Sequence, residues 1–343
     1  GLDLLGPVVL AMPTGCGERT TAPPPPSPVE ANAVEARENA LAAIDRLLEA
    51  RRVDEAARVA ERLAEVHPDD AAVALRLGRV RVAERSLAVD ADPRRDLLSS
   101  AAADALLRAI EGGIEDPETF ALAATLLESC DRDVEAEPLW RRLADDDPGD
   151  PEPPLRLALN LESQGRRGEA VAIAETTRDR HPDHAFAAVV LGELRLASGD
   201  ERGLEALAEG VRLDPGQDAW RLRQAVWLRR LGRCEEAILI LAASSAETPS
   251  GLARTREIAA CWRRLKRPGK AASTWTDAAR RRDLSPAQAG EAWREAARSH
   301  LDAGEREAAW RCLQEAAVAD PEHPMLAELE RAVAGASGES PAD

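Results

Sequence analysis

The chain has no tyrosine, two phenylalanines and, among its 45 basic residues, only two lysines, Lys266 and Lys270. The scarcity of aromatic residues, together with an excess of Ala, Leu, Arg and Glu, favours helix interiors over pleated sheets, which argues against an all-β fold. The chain is also 44% hydrophobic, which excludes disordered and collagen-like proteins. We therefore expect a folded, helix-rich protein.

The residue patterns of known catalytic and metal sites are missing as well. The sequence contains no H-E-x-x-H, G-x-S-x-G or G-x-G-x-x-G motif, and Gly269-Lys270 lacks the rest of a phosphate loop. The five cysteines stand far apart, with no C-x-x-C pair: Cys16, Cys130, Cys234, Cys261 and Cys312. We predict that the chain is not an enzyme and uses no metal or other cofactor, and that the last four cysteines are buried thiols, with disulfides as the alternative.

Acidic residues outnumber basic ones over the whole chain, 62 to 45, but the balance is reversed in one segment. The formal net charge is -17, so the average field of the molecule does not attract nucleic acid. Between Ala219 and His300, however, 17 basic residues face 8 acidic ones, and the same segment holds five of the seven tryptophans. This segment is where we expect a binding surface, and we expect its tryptophans to belong to the core.

The first residues resemble an export signal. An apolar stretch from Leu4 to Met12 precedes Pro13-Thr14-Gly15-Cys16, and small residues before a cysteine resemble the bacterial lipobox, in which the cysteine carries the lipid. Pro13 and the lack of a basic leader depart from that pattern. We expect residues 1–16 to be a lipoprotein signal with Cys16 as the lipid anchor, which places the protein on the periplasmic side of a bacterial membrane. An unstructured leader on a cytoplasmic protein is the alternative.

Two periods run through the rest of the chain. The first is a series of prolines whose separations cluster on 34 residues, apart from one step of 49: Pro68, Pro117, Pro148, Pro182, Pro215, Pro249, Pro286 and Pro321. The second is a series of mostly small residues, each 12 positions before one of those prolines: Ala56, Ala105, Ala136, Ala170, Gly203, Ala237, Thr274 and Ala309. We expect a helix, a turn, a second helix packed closely at the small residue, and a proline that ends the second helix.

The turn segments of three repeats carry a family resemblance. Gly165 to Ala170, Gly232 to Ala237 and Gly304 to Ala309 each place Gly at the turn and Ala five residues later, and the Leu-Gly pairs at Gly78 and Gly192 stand midway along a first helix. This pattern resembles the tetratricopeptide repeat (TPR) over residues 30–335. The resemblance implies an all-α fold, a right-handed α-solenoid superhelix of about eight helix-turn-helix repeats with a C-terminal capping helix. Residues 17–29 would be a Pro-rich disordered spacer and 336–343 a disordered tail.

The resemblance also implies where a partner would bind. In TPR proteins the first helix of each repeat lines the inner groove, and the corresponding positions in the last three repeats are arginines: Arg229, Arg230, Arg256, Arg263, Arg264, Arg294 and Arg298. Guanidinium groups bind carboxylates or phosphates through paired hydrogen bonds. We predict a protein-protein interaction scaffold that binds an extended or acidic protein partner.

Three alternatives to that prediction stay open. The arginines could pair with acids of adjacent repeats and bind nothing. The groove could bind an anionic polymer, a nucleic acid or a polysaccharide, although the overall negative charge argues against nucleic acid. The chain could also be the regulatory subunit of an enzyme encoded elsewhere.

Overall fold

A computed structural model describes residues 28–88, 92–243 and 251–335. The predicted signal with Cys16, residues 17–27 of the predicted spacer, and the tail 336–343 lie outside the described residues. The first helix begins at Pro28, two residues before the predicted start of the repeats. No helix in the described part of the chain combines the length and the hydropathy needed to cross a bilayer.

The described residues form helices only, in eight consecutive pairs followed by a single helix. In chain order they are α1 (Pro28–Glu49), α2 (Val53–Val66), α3 (Ala71–Leu87), α4 (Arg94–Glu111), α5 (Pro117–Glu128), α6 (Asp133–Asp146), α7 (Glu152–Ser163), α8 (Arg167–Arg180), α9 (Ala185–Ala197), α10 (Gly203–Leu213), α11 (Asp218–Arg230), α12 (Cys234–Ala242), α13 (Ala253–Arg264), α14 (Pro268–Ala279), α15 (Pro286–Asp302), α16 (Arg306–Ala319) and α17 (Met325–Gly335). The prediction of an all-α TPR-type array of eight helix pairs with a capping helix is confirmed.

The helices divide into two compact units after Ile114. Unit 1 contains α1–α4 and unit 2 contains α5–α17. Within each unit every helix packs against the next one along the chain, and some first helices of neighbouring pairs also touch, α1 with α3, α7 with α9, and α11 with α13. Each pair therefore buries its apolar surface against its neighbours, as expected of a repeat array.

The predicted small residues lie where the two helices of a pair meet. The six alanines of the series are fully buried: Ala56, Ala105, Ala136, Ala170, Ala237 and Ala309. In the seventh pair, Ala271 is fully buried and Thr274 is not. A particularly close contact joins α9 and α10, where a Cβ added to Gly203 would lie 2.3 Å from the backbone oxygen of Gly192. The absence of a side chain at both positions lets these two helices pack closely.

The turns between the paired helices need a left-handed residue. Gly165, Gly199, Gly232 and Gly304 have positive φ in the turns of four pairs, and Arg51, Asp131 and Lys266 have φ of 56 to 58° in three others. A residue in the left-handed conformation ends a first helix because it lets the last carbonyl groups of the helix accept hydrogen bonds. Glycine adopts this conformation without steric cost. The turn geometry is thus kept even where the sequence has no glycine.

The expectation that every proline of the series ends a second helix is wrong at two positions. Pro68, Pro148, Pro182, Pro215 and Pro321 each follow the end of a second helix by two residues. Pro117 and Pro286, however, are the first residues of α5 and α15, where Ser285 forms a capping box with Gln288. Proline is tolerated there because the first residue of a helix needs no backbone N–H donor.

Long helices account for about half of the extra length of the 49-residue second repeat, and its longer connections account for the rest. The helix α3 has 17 residues and α4 has 18, compared with 12 and 14 in the next pair. Residues 89–91 of their connection lie outside the described part. At the other end of the chain, α17 covers most of the predicted cap from His323 to Ala334, and it buries Leu326, Leu329 and Val333.

Candidate functional site

The first helices of unit 2 form the surface on which the sequence places a binding site. We call the surface formed by α5, α7, α9, α11, α13 and α15 the first-helix face. Charge is divided along it: α11 and α13 each carry four arginines and one acidic residue, whereas α5 carries two glutamates and no basic residue. Eight of the 17 basic residues of the predicted segment therefore lie on two consecutive first helices.

Two of the predicted arginines form close ion pairs with the next first helix. On α11, the Arg229 Nε donates to Glu257 Oε2 of α13 at 2.7 Å. On α13, the guanidinium of Arg256 donates to both carboxylate oxygens of Glu291 on α15, at 2.6–2.8 Å. The hydrogen bond to Glu257 raises the pKa of the Arg229 guanidinium above its usual value. These pairs connect neighbouring repeats along the face.

The arginines near α15 are paired to different degrees. Arg294 is 8% exposed and its Nη1 donates to Asp320 Oδ2 at 2.9 Å. Arg263 of α13 and Arg298 of α15 share one carboxylate, that of Glu295, at nitrogen-oxygen distances of 3.8 and 3.3 Å. Arg294 is thus part of the interior, while Arg263 and Arg298 keep loose contacts near the surface.

The remaining two predicted arginines, Arg230 and Arg264, are exposed. Within residues 28–88, 92–243 and 251–335, neither guanidinium has a carboxylate within 4.0 Å. The Arg230 guanidinium lies over the Trp227 ring, 4.8 Å from its centroid. The Arg264 guanidinium reaches the turn after α11, since its Nη2 lies 4.0 Å from where a Cβ on Gly232 would be. Both arginines occupy the same place in their repeats, two residues before the left-handed turn residue.

A cavity opens on the first-helix face beside Arg230. It has a volume of about 610 Å³ and lies between α7, α9 and α11. Its apolar walls come from these three helices: Leu159, Leu194, Ala197, Leu222, Val226 and Trp227. The cavity therefore combines an apolar interior with an arginine at its edge.

Most of the charged groups of the cavity are already paired with one another. Arg223 Nη1 donates to Glu193 Oε2 at 2.6 Å, and Arg167 Nε lies 3.6 Å from Glu162 Oε1. Burial raises the pKa of the Glu193 carboxyl above its usual value, although the charge and the hydrogen bond of Arg223 act against that shift. Among the charged residues lining the cavity, Arg230 is the one whose described neighbours include no carboxylate partner.

The chain is similar to solved tetratricopeptide repeat structures. One is YrrB, described as a TPR protein with an unusual peptide-binding site, at 18% identity over 55% of this chain and 94% of that one, with a TM-score of 0.45. Another is a tetratricopeptide repeat protein from Parabacteroides merdae, at 14% identity over 75% of this chain and 98% of that one, with a TM-score of 0.45. MamA is similar at 15% identity over 53% of this chain and 93% of that one, with a TM-score of 0.43.

The other two comparisons give no match. No protein-family model and no curated protein matches the chain. At identities of 14–18%, the structural likenesses concern the fold alone.

Sequence reasoning missed two residues of the cavity. Trp227 was expected to belong to the core, and it does pack partly against buried residues, but it also forms a wall of the cavity beneath Arg230. Arg223 was not predicted as a site residue. The signal was present, since positions 223, 227 and 230 follow the spacing of one helix face.

Potential metal ligands and thiols also occur in the described residues. In the described residues, no group of three or more His, Cys, Asp and Glu side chains could hold a metal ion. Cys234, Cys261 and Cys312 are buried free thiols, and Cys130 is a half-buried one. The buried-thiol interpretation thus fits three of these four cysteines, and burial raises the pKa of the Cys261 thiol to about 12, which makes it a poor nucleophile.

Proposed function

We propose that the chain is a protein-interaction scaffold that binds an extended acidic segment of another protein across α11 and α13. The observation that supports this most directly is the pair Arg230 and Arg264, which are exposed and have no carboxylate partner among the described residues. They lie at equivalent positions of consecutive repeats, so a peptide that crosses both helices would meet two guanidinium groups in succession. Guanidinium groups suit carboxylates because they donate two parallel hydrogen bonds.

The paired arginines differ in how easily they could exchange their present carboxylate for one of a partner. The exposed pair between Arg256 and Glu291 and the loose contact between Arg263 and Glu295 cost little to open, because an exposed ion pair contributes about 0–1 kcal/mol. An acidic partner can therefore replace these contacts. Arg294 is buried with Asp320, so we assign it to the fold and not to the partner.

The proposal is tested by reversing the two exposed charges. The full chain is titrated into a fluorescent peptide rich in glutamate, and the same titration is repeated with the double variant Arg230→Glu and Arg264→Glu. We expect the affinity to fall about tenfold or more, because two ion pairs are lost and repulsion is added. The control carries Arg180→Glu and Arg311→Glu, which change the net charge equally on the exposed surfaces of the second helices α8 and α16. Equal binding by all three proteins would overturn the proposal.

A second probe separates a protein partner from an anionic polymer. Heparin and single-stranded DNA are titrated under the same salt conditions as the peptide. Binding to these polymers that is tighter than to the peptide, and equally sensitive to the Arg230 and Arg264 reversal, would favour a polymer ligand. Co-purification with an enzyme in fixed ratio would favour the regulatory-subunit alternative.

Lipid attachment at Cys16 is a proposal of its own, supported by the apolar run and the small residues before that cysteine. The test is expression of the full-length precursor and of its Cys16→Ser variant in a bacterium fed with labelled palmitate. We expect the label and the membrane association to disappear in the variant. If both persist, neither the anchor nor the periplasmic location derived from it has support.

A further inference from the structure

We propose that the cavity between α7, α9 and α11 is a specificity subsite that takes a large apolar side chain of the bound acidic peptide. This proposal rests on the proposed function, since it names the peptide residue that lies next to the one bound by Arg230. Recognition would then need two neighbouring features in the ligand, a carboxylate and an apolar side chain. A purely acidic peptide would satisfy only the first.

The lining of the cavity favours an apolar occupant. Six side chains without a formal charge form its walls, and its volume of about 610 Å³ lies within the usual range of ligand cavities, about 300–1,000 Å³. A charged occupant of either sign would meet a group of like charge, because Glu193 and Arg223 both face the cavity. An apolar side chain leaves these ion pairs intact and removes its own surface from water.

Arg230 lines the cavity together with its apolar walls, so a carboxylate bound to this arginine would lie next to an apolar occupant. The guanidinium lies over the face of the Trp227 ring, and Trp227 is itself a wall of the cavity. The same tryptophan thus contacts the occupant and supports the arginine at the edge. A peptide residue that enters the cavity would have its neighbour in the chain close to Arg230.

The test compares two labelled peptides that differ in one residue. Each has two glutamates before and two glutamates after a central position. The central residue is leucine in one peptide and serine in the other. We expect the full chain to bind the leucine peptide about tenfold more tightly, in line with the burial of one leucine side chain. Equal affinity for the two peptides would overturn the subsite.

Filling the cavity gives an independent test. Ala197→Leu adds a side chain at a half-buried position on the cavity wall, at the end of α9, and leucine is a good helix former. We expect the variant to bind both peptides with the affinity that the unaltered chain has for the serine peptide. The matched control is Ala172→Leu, the same change at an exposed position on α8, which should keep the preference for leucine. A leucine preference that survives Ala197→Leu would also overturn the subsite.

The two proposals fail in different ways. If the charge reversal of Arg230 and Arg264 weakens both peptides equally while leucine and serine bind alike, the acidic-peptide function stands and the subsite is lost. If the reversal changes neither peptide, the proposed function itself is lost.

Discussion

Arginines at corresponding predicted positions have different surroundings on α13 and on α15. On α13, Arg256 stands ten residues before the turn residue Lys266, as Arg294 does before Gly304; it is exposed and pairs with Glu291 at the surface. On α15, Arg294 is 8% exposed and is bound to Asp320 from the segment before α17. The residue that follows the second helix of each pair makes this difference, because Asp320 follows α16 and reaches Arg294, whereas Arg280 follows α14. An arginine at a groove position can thus hold the array together or stay available to a partner, and its neighbours decide which.

The largest expected effect is the loss of the buried pair. Asp320→Ala leaves the Arg294 guanidinium buried without its carboxylate, and we expect the free energy of unfolding to fall by about 2–3 kcal/mol. Glu291→Ala removes the exposed partner of Arg256 and should cost less than about 1 kcal/mol. Urea denaturation of both variants measures the difference. Equal losses would mean that burial does not separate these two kinds of arginine.

The positions of these arginines can be predicted from the sequence, but their ion-pair partners cannot. The periods of proline and alanine predicted the helix pairs, since each period reflects contacts within one repeat, and the position of an arginine on its helix follows from the same counting. The partner of an arginine does not, because Glu257 stands 28 residues after Arg229 and Asp320 stands 26 residues after Arg294. Those distances in the chain become contacts only when neighbouring pairs pack together.

The cavity was beyond sequence reasoning for the same reason. It needs side chains from α7, α9 and α11, and no pattern within one helix records that arrangement. The tryptophans of the basic segment are expected in the core because Trp262 and Trp293 fall on core-facing positions of the repeat, and tryptophan is highly buried on average. Its dual position, partly against the core and partly in the cavity, depends on how far α9 lies from α11.

The turns after α11 and α13 allow a comparison of the two basic helices themselves. The turn residue is Gly232 after α11 and Lys266 after α13, with φ of 84° and 57°. We expect Gly232→Ala to destabilise the protein by about 1 kcal/mol and Lys266→Gly to stabilise it by about 0.5–1 kcal/mol, because a Cβ is strained in this conformation. Thermal unfolding of the two variants gives both values. A change of the same sign at both turns would contradict the expectation that a Cβ is strained at these two positions.

Asp70 in unit 1 provides a third ion pair whose pH dependence can be followed. It accepts hydrogen bonds from Arg37 of α1 and from the backbone N–H groups of Ala72 and Val73 at the start of α3. These bonds, that of Arg37 above all, lower the pKa of Asp70 from 3.8 to about 2. Because the folded-state pKa is depressed, the stabilisation is complete above pH 3.8 and is lost as the pH falls from there through 2.

The measurement for Asp70 is the difference in unfolding free energy between the chain and its Asp70→Asn variant. Asparagine can still cap α3 but does not titrate. We expect a difference of about 1 kcal/mol at pH 5 that shrinks toward pH 2, a value reduced for the partial exposure of the pair to water. A difference that stays constant over this range would show that the charge of Asp70 adds nothing to its cap.

The smallest expected effect concerns the competition between Glu291 and an acidic partner for Arg256. Glu291→Gln keeps the shape of the side chain but removes the charge that neutralises Arg256. If Arg256 is available to an acidic partner, the variant should bind the glutamate-rich peptide about two- to threefold more tightly, because the peptide no longer competes with Glu291. The same substitution at Glu175, which pairs with Arg195 across α8 and α9, serves as the control and should leave peptide binding unchanged. An equal gain from both substitutions would show that peptide binding depends only on the net charge of the protein. It would contradict binding of the partner at the first-helix face.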